Sequence, residues 1–206
     1  MRQTPFVYIA PSWLRSLPFV FAMAFFGIAQ AANSLDLAPC ASSAAGEKRT
    51  LSGLFRVHVT CDRLLWEIPP ELLGRDLLFY TEFSRLWTTD SDIVPGIEAD
   101  SRIMRWQRRG HVMDLALVNR QMRAPNFPAL ERGLDAVQLG YIVRTFDVVG
   151  EGAGGAPVID ATPLFAADSA AFALPLKQRF RMTSIDPRRS FVSNVKAFPD
   201  NIRVSF

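Results

Sequence analysis

The sequence predicts a mainly β protein of the β-rich α+β kind, with antiparallel sheets and hairpins and one or two short helices. Three observations carry this prediction. Apolar and polar residues alternate over several short runs, which is typical of half-buried strands. Proline and glycine residues separate these runs. Helical spacing of apolar residues is confined to two short stretches, residues 130–139 and 163–171.

The alternation begins at Phe55. Phe55, Val57 and Val59 are apolar while the residues between them are polar, so one face of this strand should be buried. Residues 64–68 predict the neighbouring strand of a hairpin.

Two consecutive prolines, Pro69 and Pro70, end that ladder because proline has no N–H to donate. Residues 77–83 then predict a further strand. We therefore expect two core strands hinged at the prolines, with Trp66 and Phe79 buried.

The rest of the chain continues in the same manner. A hairpin is expected around Gly110, and no internal repeat is visible. The remaining predicted strands cover residues 102–108, 112–118, 141–149, 157–161 and 202–206.

Residues 1–31 have the organisation of an export signal peptide. Arg2 and Arg15 supply positive charge, residues 17–28 are apolar, and residues 29–31 form an A-x-A cleavage site. The alternative is a retained membrane anchor, but the apolar run is shorter than the roughly 20 residues that a span needs. Cleavage after Ala31 would place the protein in the periplasm or outside the cell, with membrane contact only through an uncleaved leader.

Removal of the leader changes the charge balance. Two of the 23 Lys and Arg residues and none of the 20 Asp and Glu residues lie in the leader, so the mature chain would carry 21 against 20. This balance gives no reason to expect a nucleic-acid partner. We expect a flexible arm over residues 32–50 and one β-rich domain over residues 51–206.

The two cysteines, Cys40 and Cys61, both follow the leader. In an oxidising compartment they can form a disulfide that ties the arm to the first hairpin. Spacing does not fix their geometry, so two unpaired thiols remain the alternative.

The candidate chemical groups do not form a recognisable active site. His58 and His111 are the only histidines, and neither belongs to an H-E-x-x-H motif, in which two imidazoles bind zinc from one helical face. Both are expected to be solvated or edge residues. No G-x-S-x-G elbow is present, and neither cysteine lies in a nucleophile signature. We therefore predict no catalytic, metal or cofactor-binding residue in the chain.

Residues 150–155 satisfy G-x-G-x-x-G, but a strand is predicted after them instead of the helix that a dinucleotide site needs. A connection between strands is therefore expected. An acidic stretch offers oxygen ligands for Ca²⁺ without the spacing of a calcium loop, so a solvated loop is expected. Its carboxylates are Asp90, Asp92, Glu98 and Asp100.

Four arginines surround Trp106, as they would on a surface that stacks nucleic acid. Export and the balanced mature charge oppose that interpretation, and arginine stems lying along a sheet face explain the pattern better. These residues are Arg102, Arg105, Arg108 and Arg109.

Three blocks resemble a known family. Residues 53–85 include C-D-R-L-L-W-E-I-P and P-E-L-L-G-R-D-L-L, residues 158–168 include V-I-D-A-T-P-L-F, and residues 186–204 begin with D-P-R-R-S-F. In order and spacing they resemble the N-terminal domain, of unknown function, of bacterial secreted zinc-dependent metalloproteases. The resemblance covers nearly the whole mature chain.

The resemblance implies a downstream catalytic domain with a metzincin-like H-E-x-x-H-x-x-G-x-x-H helix, which holds zinc and a general-base glutamate. This sequence ends at Phe206 without that helix, so we expect a non-catalytic fragment and transfer no metal or catalytic residue.

Two classes of function follow. The chain either supports the folding of a catalytic domain, shields it or presents substrate to it, or it is a stand-alone periplasmic module for an apolar ligand or a protein partner.

Overall fold

A computed structural model describes residues 5–11, 33–36, 48–60, 63–83, 95–119, 126–137, 140–166, 177, 181 and 183–206. Twelve strands and two α-helices lie within these residues. The strands are β1 (Pro5–Pro11), β2 (Asn33–Asp36), β3 (Arg49–Ser52), β4 (Arg56–Val59), β5 (Leu64–Glu67), β6 (Asp76–Phe83), β7 (Glu98–Arg109), β8 (Val112–Leu117), β9 (Ile142–Glu151), β10 (Pro157–Asp160), β11 (Asn194–Phe198) and β12 (Asn201–Ser205). The helices are α1 (Pro128–Val137) and α2 (Thr162–Ala166).

The described strands pair antiparallel in one continuous order, β2-β11-β12-β1-β6-β7-β8-β9-β10-β5-β4-β3. Strand β9 belongs to two sheets, because it pairs with β8 in the first and with β10 in the second. The predicted mainly β class with short helices is therefore confirmed.

The sheet curls until its two ends meet. Strand β3, at one end of the order, contacts β2 and β11 at the other end. Beside it, the Leu54 N–H donates to the Phe198 carbonyl at 2.7 Å. Gly53 makes this approach possible, because a Cβ at that position would overlap the Phe198 backbone.

Inside the curl, aromatic side chains form the centre of the core. Trp66 contacts Phe55 at 5.2 Å and Phe165 at 5.6 Å between ring centroids, and it meets Trp106 edge-to-face at 6.2 Å. Phe146 extends the group from Trp106. Both tryptophans are fully buried, and rings at these separations contribute about 0.5–1.5 kcal/mol per pair beyond their buried area.

Several local predictions are confirmed. Trp66 and Phe79 are buried, and β7 and β8 form a hairpin around Gly110, whose φ is +64°. The two prolines follow the end of β5 as expected, and the second of them begins a 3-10 turn, Pro70–Leu72.

Two stretches differ from the expectation of an arm before the domain. Strand β2 lies within residues 32–50, and β3 begins there as well. β2 is a short edge strand held by its backbone pairing with β11, so it needs no apolar alternation that a sequence pattern would reveal. The rest of the predicted arm, apart from Lys48, lies outside the described residues.

Strand β1 lies inside the predicted leader, between β12 and β6. The remainder of the leader lies outside the described residues. Among the residues that are described, no helix combines the length and apolar character required to cross a membrane.

Candidate functional site

A buried carboxylate, Glu67, lies at the centre of a polar network that joins strands β3, β4 and β5. Successive residues of a strand face opposite sides, so Trp66 enters the core while Glu67 lies on the outer face of β5. Its register partners are Arg56 on β4 and Val158 on β10. Glu67 is nonetheless only 5% exposed, and a buried carboxylate requires partners.

Three donors surround the Glu67 carboxylate. His58 Nε2 lies 3.0 Å from Oε2, and the Arg56 guanidinium forms an ion pair with Oε1. The backbone N–H of Ala153 donates to Oε1 at 3.0 Å. Both oxygens are therefore satisfied, and hydrogen bonds to a charged group are stronger than those between neutral groups.

Thr50 extends the network to the surface. Its Oγ1 lies 2.8 Å from His58 Nδ1, because Thr50 and His58 are direct partners across β3 and β4. A carboxylate only accepts hydrogen bonds, so Glu67 requires a proton on His58 Nε2. In the neutral imidazole, Nδ1 then accepts from the Thr50 hydroxyl. The result is a hydroxyl–imidazole–carboxylate chain that runs from an exposed residue to two buried ones.

A glycine-rich turn covers this network. The 3-10 turn Ala153–Gly155 contains two left-handed residues, Gly154 at φ +67° and Gly155 at φ +75°. It is closed by the Gly152 N–H, which donates to the Ala156 carbonyl at 2.7 Å. A Cβ at Gly152 would overlap the Glu67 carboxyl group. The turn thus approaches the carboxylate as closely as glycine permits.

The G-x-G-x-x-G residues form this turn between β9 and β10. A strand, β10, follows the turn where a dinucleotide site needs a helix, and the side chain bonded to the Ala153 N–H of the turn is the Glu67 carboxylate. The expectation of a connection between strands is confirmed.

The prediction for His58 was wrong in one respect. His58 faces away from the core as its alternation requires, but it is 7% exposed instead of solvated. The reason is the covering turn, whose Ala153 is 86 positions from Glu67 in the sequence. His111 is exposed at the hairpin turn, as expected. Cys40 and Cys61 lie outside the described residues.

A second buried carboxylate, Asp114, lies on the outer face of β8. Arg109 Nε donates to Oδ2 at 3.0 Å, and the Thr145 hydroxyl donates to Oδ1 at 2.6 Å. Asp114 is 3% exposed. The hydrogen bonds from Arg109 and Thr145 lower the pKa of this carboxyl below its usual value.

The arginines around Trp106 are partners of carboxylates. Arg105 bonds Asp76 directly across β7 and β6, and Arg108 Nη2 lies 2.7 Å from Glu151. Arg102 pairs with Asp100, and Arg109 with Asp114, as above. Charge pairing therefore explains this group: three of the pairs join different strands, and the Arg102–Asp100 pair lies within β7.

The acidic stretch that was considered as a calcium site and predicted to be a solvated loop is only partly described. Asp90 and Asp92 lie outside the described residues, while Glu98 and Asp100 belong to β7. Within the described ranges, no three His, Cys, Asp or Glu side chains are grouped so as to hold a metal ion.

Chemically, the Thr50–His58–Glu67 chain has the order of groups that activates a hydroxyl as a nucleophile in hydrolases, where the imidazole is the general base. Here the carboxylate is also shared with Arg56 and Ala153, which anchors the glycine-rich turn to the sheet. The geometry thus places the Thr50 hydroxyl at the surface, and the buried Glu67 carboxylate connects the sheet to the glycine-rich turn.

Comparison with known families decides the membership of the chain. The family described as "Domain of unknown function (DUF5117)" matches residues 96–206, more than half of the sequence. The chain belongs to this family. A second family, "Domain of unknown function (DUF5118)", matches residues 45–86. No curated protein and no solved structure matches the chain.

The DUF5118 and DUF5117 regions share one structural unit. β5 of the first pairs with β10 of the second, and Trp66 of the first contacts Trp106 of the second. The hydrogen bond from Ala153 to Glu67 also joins them.

Proposed function

We propose that this chain is a non-catalytic N-terminal part of an exported zinc-dependent metallopeptidase, which supports the folding of a catalytic domain, shields it or presents substrate to it. The proposal rests on the family resemblance of three sequence blocks and on the predicted export signal. Family membership itself leaves the role open, because both matching families are of unknown function.

One observation carries the proposal: the three blocks that bear the resemblance adjoin in space. β5 of the first block pairs with β10 of the second, and Phe165 of the second contacts Trp66 of the first. The first block also meets the third, where the Leu54 N–H bonds Phe198. Residues that form one core are under common packing constraints, which supports the interpretation of the blocks as one inherited domain.

Exposed apolar side chains in two segments also support a role in contacts between domains. Phe127 is 65% exposed and Leu130 is 55% exposed near the start of α1. Tyr141 and Ile142 are half exposed at the start of β9. Each pair consists of large apolar side chains that are near each other in the sequence and open to solvent, as at surfaces that bind another protein.

The first experiment is to read the coding region that follows the codon for Phe206. We expect an H-E-x-x-H motif within a few hundred bases, in frame or after a frameshift or gene break. A stop codon followed by unrelated sequence would contradict the proposal.

The second experiment uses the purified chain. It should neither hydrolyse casein nor retain stoichiometric zinc after dialysis. Casein cleavage that a chelator abolishes would show that the chain itself is a peptidase.

A second candidate is a stand-alone periplasmic module that binds an apolar ligand or a protein partner. The exposed apolar residues favour it equally. Substitution of Leu130→Glu should lower binding of an apolar dye such as bis-ANS in either case, so the downstream reading is the measurement that separates the two candidates.

A further inference from the structure

Strand β1 lies between two other strands and pairs with one of them along each edge. It pairs antiparallel with β6 from Pro5 to Pro11 and with β12 from Phe6 to Ile9. It therefore lies in the interior of the sheet order, where both of its backbone edges are hydrogen-bonded. The neighbouring strands depend on it for the same reason, since buried N–H and C=O groups require partners.

The side chain of Ile9 fills the same position from the core side. It is fully buried and lies in register with Phe79 on β6 and Ile202 on β12, both of which are also buried. An aliphatic residue at this point closes the core between the two strands. A charged residue would carry the cost of desolvating its charge.

The residues of β1 belong to the predicted leader, and this inference rests on the proposed export. Cleavage after Ala31 would separate β1 from the chain. Strands β6 and β12 would then present two facing, unpaired edges and an uncovered apolar position. Exposed edges of this kind are templates for pairing with another strand.

We propose that the position between β6 and β12 is a strand-acceptor site, which takes an extended peptide segment by β-strand addition. The geometry specifies its occupant: a strand that runs antiparallel to both neighbours, offers backbone groups to both edges and places an aliphatic side chain where Ile9 lies. Main-chain hydrogen bonds supply the affinity, and the apolar position supplies the selectivity. In the uncleaved chain, Pro5–Pro11 fills this site.

The test uses the full chain with a site for a specific protease inserted between Ala31 and Ala32. The folded protein is cut, and a fluorescent peptide with the sequence PFVYIAP, extended by lysines for solubility, is added in excess. Anisotropy measures its binding. The control peptide carries the I9E substitution. We expect saturable exchange of the labelled peptide into the cut protein, with the control about 100-fold weaker.

Hydrogen exchange of the backbone amides of β6 and β12 accompanies the titration. If the sheet loosens after the cut, the native peptide should restore amide protection and the control peptide should not. Intact protection of both strands after the cut fragment 1–31 has been removed, without peptide binding, would overturn the proposal. So would a loss of the sheet that no peptide restores, or equal binding of the two peptides.

Because the cut is engineered, this result does not depend on natural processing. N-terminal sequencing of the protein exported from a bacterial host tests the leader separately. Failure of the strand-acceptor site and failure of the export proposal are therefore distinguishable.

Discussion

The carboxylates of Glu67 and Asp114 are both buried, but the partners of Glu67 come from two regions of the sequence and those of Asp114 from one. Asp114 is held by Arg109 and Thr145, both within the DUF5117 region. Glu67 is held by residues of the DUF5118 region and by Ala153 of the DUF5117 region. The first network therefore stabilises a local part of the sheet, while the second joins the two regions. Burial of a charge alone does not show which of these roles it has.

The largest effect is expected from Glu67→Ala. This substitution leaves His58 buried without its carboxylate partner and the Ala153 N–H without its acceptor. The free energy of unfolding should therefore fall by about 3 kcal/mol. Urea denaturation followed by tryptophan fluorescence measures this. The control is Glu151→Gln, which removes an exposed partner of Arg108 and should change stability by less than about 0.5 kcal/mol. Equal losses of stability for Glu67→Ala and Glu151→Gln would contradict the claim that Glu67 joins the two regions.

Gly152→Ala should have the next largest effect. The added Cβ overlaps the Glu67 carboxyl group, so the turn must move and the bond from Ala153 lengthens. We expect a loss of about 1–3 kcal/mol in denaturant unfolding. Gly150→Ala is a matched control two residues away, because nothing lies within 4 Å of its added Cβ. A neutral Gly152→Ala would show that the turn is not held against Glu67.

The loss of stability caused by Asp114→Asn should be smaller than these and should depend on pH. The pKa of Asp114 is lowered in the folded protein, so its ionised form contributes stability above the unfolded value of about 3.9. That contribution is lost as the pH falls through the folded pKa. We expect a deficit of about 1–2 kcal/mol at pH 7 that shrinks below pH 4. The measurement is unfolding free energy from pH 7 to pH 2.5. A deficit independent of pH would contradict the assigned cause.

The predictable parts of this fold are local. The alternation at Phe55, Val57 and Val59 is a property of consecutive residues, and so is the stop at Pro69. These patterns place Trp66 in the core without knowledge of its neighbours. The hairpin at Gly110 is likewise contained within one short stretch.

The unpredicted parts depend on distant pairings. His58 is buried because a turn far along the chain covers Glu67, and no feature of the residues around His58 indicates that cover. β2 pairs with β11 across about 160 positions, and its polar composition gives no apolar signal. The candidate site was missed for the same reason: Thr50, His58 and Glu67 belong to three strands whose register must be known first.

The place of β1 has a consequence for the order of folding. β1 contains residues 5–11, and its neighbour β12 contains residues 201–205, so this pair of strands joins nearly the two ends of the sequence. Closing such a long loop is entropically costly, and contacts of this separation form late and slowly. During synthesis β1 has no β12 to pair with until almost the whole chain has emerged. β6, the other partner of β1, is made much earlier, so β1 can pair along one edge while its second edge stays without β12 through most of translation.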